Sequence, residues 1–226
     1  MIAYARRAFI VLWKDWLIER RSKSSLNAVV FFALILLFLF QFALGPDRER
    51  LHAALPGLLW LGFVLAGLLG LGGVFLVERD NDCWEGLLLA PGDKSAIYVG
   101  KLAANLVLMT LVEAVILALF GVFYGIDLYA VLAPLAAVVV LGTIGIAAVG
   151  TLFGAMTAQV RSRELLFPVL LLPMQVPVLL ATVSATEVVL AGRPLAEAAA
   201  WLTLLAVADT VYLAIGLLTF EFVFDA

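Results

Sequence analysis

Six apolar runs, at residues 26–45, 55–77, 102–123, 130–158, 165–183 and 198–224, constrain this chain more than any other feature. Each reaches the roughly 20 residues that a helix needs to cross a hydrocarbon core of about 30 Å. A soluble domain could not cover so much apolar surface, since 65% of the 226 residues are hydrophobic. Lipid offers no hydrogen bonds to an open backbone, so runs of this length span as helices. The expected fold class is therefore an all-α membrane protein. An amphipathic helix over residues 1–25 precedes a six-helix transmembrane domain over 26–226.

In the first 25 residues, Phe9, Leu12, Trp13, Trp16 and Leu17 recur at helical spacing, while Arg7, Lys14 and Arg21 recur each heptad on the other side. That pattern describes a helix lying on the bilayer, tryptophans at headgroup depth and cations towards phosphate. The alternative is a soluble basic helix packed on a partner. Arg6, Arg7, Lys14, Arg20, Arg21 and Lys23 share their side of the membrane with Arg79, Lys94, Lys101, Arg161 and Arg163. Only Arg48, Arg50 and Arg193 fall on the other side. Eleven against three places both termini in the cytoplasm.

Between the second and third runs sits a charged insert, VERDNDCWEGLLLAPGDKSAIYVGK at 77–101. Glu78 and Asp82 fall at i and i+4, Glu85 and Leu89 continue that ridge, and Trp84, Leu87 and Leu88 lie on another face before Pro91-Gly92. This predicts one short amphipathic helix over 78–91, acidic on one side and apolar on the other. It suits docking of a partner at the membrane surface, or it is a solvated connection. Cys83 reads as a buried small residue.

No phosphate-binding loop is present, Gly100-Lys101 lacking the upstream glycine and the following hydroxyl. The chain is therefore expected to be no enzyme, with no catalytic residues and no ATP of its own. One cysteine and one histidine exclude a metal cage built by this chain alone. Glu113 and Asp209 stand near the middle of apolar runs, where a carboxylate costs roughly 3 kcal/mol or more. They read as a proton relay or substrate contact, or as protonated acids hydrogen-bonded to a neighbouring helix. Pro168, Pro173 and Pro177 are expected to kink or unwind the fifth run, leaving Gln175 in a pathway or at a packing kink. His52 is either a haem ligand or a surface residue. Gly121/Gly125 and Gly150/Gly154 predict close helix packing.

Three stretches carry a family likeness: WKDWLIERRSKSSL at 13–26, ERDNDCWEGLLLAPGDKSAIYVGK at 78–101 and RSRELLFPVLLLPMQVPVLLA at 161–181. With a basic amphipathic helix and six spans, the chain resembles the permease subunits of type-2 ABC exporters. More narrowly, it resembles the haem exporter protein B (CcmB) family of cytochrome c maturation. The resemblance implies a bacterial inner-membrane subunit handling haem. Its partners would be an ABC ATPase that binds the ATP, a haem-handling membrane subunit, a small one-span subunit and a periplasmic haem chaperone. It implies ATPase docking through Glu78, Arg79, Asp82, Trp84, Glu85, Gly86, Leu88 and Pro91, with Arg161, Arg163 and Glu164 as a second contact. No haem ligand comes with it, and no nucleic acid. Six spans make half a transporter, completed by a second copy or by a different chain. The rivals are an exporter subunit for lipid, polysaccharide or drug, a non-transporting scaffold of the haem-handling complex, and an ion-coupled carrier.

Overall fold

The computed structural model describes residues 2–21, 23–44, 48–81, 83–89 and 92–224. Helices follow one another as α1 (Ile2–Arg21), α2 (Lys23–Leu44), α3 (Arg48–Leu71), α4 (Leu76–Asp80), α5 (Trp84–Leu88), α6 (Ser95–Tyr124), α7 (Leu128–Thr157) and α8 (Arg163–Leu190). A 3₁₀ turn (Leu195–Ala198) then leads into α9 (Ala199–Phe224). Among the described residues, five helical segments are long and apolar enough to cross a membrane, beginning with Glu49–Asp80. In α2 the described apolar stretch is Leu34–Ala43.

The bundle is built around α7, which touches α3, α6, α8 and α9. Its buried face is largely small: Gly142, Gly145, Ala147, Ala148, Gly150, Gly154 and Ala155. Lipid tails are as apolar as side chains, so helices associate here through close contact and interhelical hydrogen bonds. Gly150 admits Leu71 of α3, whose Cδ1 would lie 2.5 Å from a Cβ at that position. Asn105 of α6 donates to Thr151 Oγ1 at 2.8 Å, and Tyr98 donates to the Ala148 carbonyl at 3.1 Å. Gly150/Gly154 is thus a helix contact, as its spacing predicts. Of the other pair, Gly121 also admits a neighbour, a Cβ there falling 2.5 Å from Leu128 Cδ1 of α7, while Gly125 is a helix end with φ +65° whose N–H closes α6 on the Gly121 carbonyl.

One local expectation is corrected and another narrowed. The second apolar run does not continue as one helix to residue 77, because α3 stops at Leu71 and the chain turns through 72–75 before α4. Helix α8 is not unwound at its prolines, running continuously from Arg163 to Leu190, which leaves the kink as the form of that expectation. Its other backbone bonds and its packing on α7 and α9 hold it across the missing donors. Pro173 lies on the exposed face.

Helix α1 is packed along the start of α6. Tyr4 Oη lies 3.0 Å from Ser95 Oγ, and the Arg7 guanidinium covers Gly92. A Cβ on Gly100 would fall 2.6 Å from the Ala8 carbonyl oxygen, so only glycine lets the two backbones come this close. The far side of α1 exposes Phe9, Ile10 and Trp13, with the Phe9 and Trp13 rings stacked at 6.3 Å.

Candidate functional site

At one end of the bundle the chain gathers α1, α4, α5 and the turn between α7 and α8. The segment expected as one helix over 78–91 is two short helices, broken between Asp80 and Trp84. The Asn81 side chain donates back to the Val77 carbonyl at 2.7 Å and the Cys83 N–H closes on the Glu78 carbonyl at 2.8 Å. An asparagine that bonds its own backbone competes with helix continuation at this point. Cys83 is exposed, not buried.

The break sends the two halves in different directions. Trp84 sets its ring edge-on to Phe75 at 5.9 Å, and Leu87 joins it against the core. These two side chains anchor α5. On the other face Gly86 has open space around it, and the following Leu89 is 83% exposed. Arg79 donates to the Ala158 carbonyl at 3.2 Å, capping the last turn of α7, where a cation meets the negative end of the helix dipole. That bond places the 158–164 turn beside α4. Arg161 and Glu164 are exposed there, and Arg163 is half-buried. Asp82 and Pro91 lie outside the described residues; Glu85 and Leu88 are placed on α5 by their backbone.

Glu78 is corrected from an outward docking residue to an inward one. It is 2% exposed, and its Oε1 accepts from Lys101 Nζ at 2.6 Å and from Lys14 Nζ. Lys101, 1% exposed on α6, also reaches the Val74 carbonyl at 2.6 Å and Asp15 at 3.1 Å. An ammonium has three donors, and these acceptors match them. The Phe75 ring lies 4.8 Å below the same nitrogen. Two cations and two anions from α1, α4 and α6 thus form a neutral cluster, with Lys101 and Glu78 buried and Lys14 at its exposed edge. Val74 can accept because the turn at 72–75 interrupts the helical ladder.

Sequence reasoning turned Lys14 towards lipid phosphate, counted both lysines towards the positive side of the membrane and did not use Asp15, whereas the structure turns Lys14 to Glu78. The available signal was a lysine within the apolar register of α6. Burial opposes the Lys14 ammonium, but hydrogen bonding to Glu78 and the charge of Asp15 outweigh it, so its pKa is raised. A raised lysine stabilises the fold fully below the ordinary value of 10.5 and loses that contribution as pH climbs through the folded value. Trp13 and Trp16 emission should therefore show an alkaline transition, starting above about pH 10.5, that Lys14→Met removes. An unchanged profile in that variant would contradict the assignment.

Among the intramembrane candidates, Glu113 is buried and its Oε2 lies 2.7 Å from Thr143 Oγ1. The same hydroxyl lies 2.7 Å from the Val139 carbonyl. Thr143 thus shares its one proton between Glu113 Oε2 and its own helix, while Glu113 Oε1 is buried without a partner. Asp209 of α9 is 5% exposed and approaches α7 at Gly145, where a Cβ would lie 2.7 Å from Oδ1. Thr143 and Gly145 are two residues apart, nearly opposite on a helix, so α7 separates the two acids. Gln175 is fully buried and its Nε2 points to the Ile146 carbonyl at 3.4 Å.

His52 is exposed on α3 at the opposite end of the bundle. It borders a cavity of about 550 Å³ shared with Pro56, Ile126, Asp127, Glu187 and Leu190. Among the described residues no cluster of three metal-ligating side chains occurs.

Comparison with known proteins covers nearly the whole chain. The profile of the CcmB protein family matches residues 6–223. Heme exporter protein B of Pseudomonas aeruginosa is 30% identical over 186 residues, covering 82% of both chains. Its counterpart in Rhodobacter capsulatus is 31% identical over 75% of this chain and 78% of its own. That of Bradyrhizobium diazoefficiens is 29% identical over 76% and 77%.

Proposed function

The chain belongs to the CcmB protein family, and from that premise we propose that it is the membrane permease subunit of a haem export complex serving cytochrome c maturation. It crosses a bacterial inner membrane six times, α2 included, with both termini in the cytoplasm. A separate ATPase supplies the energy and α5 is the surface on which it docks. A haem-handling membrane subunit, a one-span subunit and a periplasmic haem chaperone complete the assembly.

One observation carries the docking assignment: α5 is anchored by Trp84 and Leu87 while Gly86 and Leu89 face outward, beside Arg161 and Glu164. A leucine standing 83% exposed at a bundle end is suited to a groove in a soluble partner. The neutral cluster behind it supplies a mechanical link. Movement of α5 pulls on α4, and Glu78 passes that movement to α1 and α6.

Gly86→Arg and Leu89→Asp test docking without disturbing the anchor, since neither position contacts the core. Each is expected to lower ATPase co-purification about 30-fold, the size of an interface hot spot near 2 kcal/mol, with normal accumulation of the chain. Unchanged co-purification in both variants would remove α5 from the interface. Trp84→Ala is a poorer probe, because its first effect is loss of the anchor. The scaffold alternative would show intact assembly and full cytochrome c production when ATP hydrolysis by the partner is disabled.

A further inference from the structure

We propose that Asp209 is a proton-binding site, occupied while α9 lies against α7 and emptied when the two helices part. The inference goes beyond haem export and does not depend on the identity of the cargo.

Asp209 sits inside the bundle and not on its lipid face. Neither carboxyl oxygen has a hydrogen-bond partner among the described residues. Gln175 Oε1, which approaches the same stretch of α7 from α8, is also buried without one. The seam between α7, α8 and α9 thus holds orphan acceptors and no cation. α7 offers Gly145 and Ile146, α8 offers Gln175 and Val178, and the titratable neighbour on α9 is Tyr212. The Tyr212 hydroxyl is already donated to the Met174 carbonyl at 2.6 Å. An ionised carboxylate in these surroundings would be buried at mid-membrane with nothing to offset it. A proton on Asp209 removes that charge.

The contrast with Glu113 sets Asp209 apart. Glu113 is tied to α7, its Oε2 accepting from the Thr143 hydroxyl at 2.7 Å. Asp209 has no such tie; it is held by shape, its carboxyl filling the notch that Gly145 leaves on α7. Withdrawal of α9 would open the notch, admit water and ionise the acid. Its return would require a proton again, linking protonation to the closed bundle.

Infrared difference spectroscopy of the full-length chain in lipid nanodiscs at neutral pH tests the resting state. Asp209→Asn should remove a deuterium-sensitive carboxylic C=O band that Glu113→Gln leaves in place. Loss of ionised carboxylate bands instead would overturn the proposal. The exchange step is read from cytochrome c output in cells. D209N, which cannot release a proton, should lower output about tenfold or more, the scale of a typical coupling between linked states. D209E keeps a titratable group and should restore much of it. Full output in D209N, or equal loss in both variants at equal accumulation, would show that the position supplies only shape. The infrared result stands apart from the haem reading, so failure of either is recognised separately.

Discussion

Replacing Lys101 with methionine is expected to destabilise the chain by about 3–5 kcal/mol, the usual consequence of leaving a buried charge without its partner. The substitution would leave Glu78, 2% exposed, and Asp15, 15% exposed, facing a side chain that neutralises neither. Lys14 remains, but its side chain is 40% exposed and one ammonium cannot offset two inward carboxylates. The first structural result should be release of α1 from α6, visible as earlier thermal unfolding in detergent and as faster trypsin cleavage after Arg7. The companion variant separates charge from volume. Removing both sides of the pair, as Lys101→Met with Glu78→Met, leaves Lys14 and Asp15 to satisfy one another at 2.9 Å. Replacement of a buried ion pair by apolar groups is commonly near neutral, so the double variant should recover most of the loss. A single variant as stable as the parent, or a double variant no better than the single, would show that the cluster does not hold α1.

The second large effect is expected at Gly142, where the centre of the bundle leaves no room for a side chain. A Cβ there would lie 2.2 Å from Trp60 Cη2 and 2.7 Å from Thr182 Cγ2. Trp60 cannot swing aside cheaply: it is 1% exposed, and its Nε1 donates to Thr186 Oγ1 at 2.8 Å. Gly142→Ala should therefore cost about 1–3 kcal/mol through overpacking, lowering the thermal midpoint and the amount of chain in membranes. Trp60→Phe removes the part of the ring that Cβ would strike. The pair G142A/W60F should be less destabilised than the sum of the two single changes, which a double-mutant cycle measures. Strict additivity would place the contact elsewhere.

The difference between these two cases marks where sequence reasoning reaches its limit. Gly142 belongs to the series of small residues that predicts a close-packed α7, and the structure adds only which ring fills the gap. Lys101 is another matter. Counted with its neighbours it is one of eleven cations assigned to one side of the membrane, and that count says nothing of burial. The acidic insert behaves the same way. Its helical spacing is real, yet i and i+4 mean a shared face only while the helix continues, and Asn81 ends α4 before Asp82 is reached. Glu78 consequently turns towards α1 and α6, and the outward face passes to Gly86 and Leu89.

What the sequence determined by itself was the membrane-spanning helical class, the approximate places of the long helices, whose ends it missed by up to about seven residues, and the family, because each rests on long apolar runs or contiguous motifs. The proline run marks the same limit: a lost backbone donor is a local fact, but whether a helix unwinds there or only bends depends on what its neighbours hold in place. Tertiary structure alone decided which charges face inward, which of the two intramembrane acids has a hydrogen-bond partner, and which side of α5 is free. Those outcomes depend on residues dozens of positions apart meeting in space, as Lys14 meets Glu78 and Thr143 meets Glu113. Periodicity reports the face on which a side chain lies; only the packed bundle decides what that face meets.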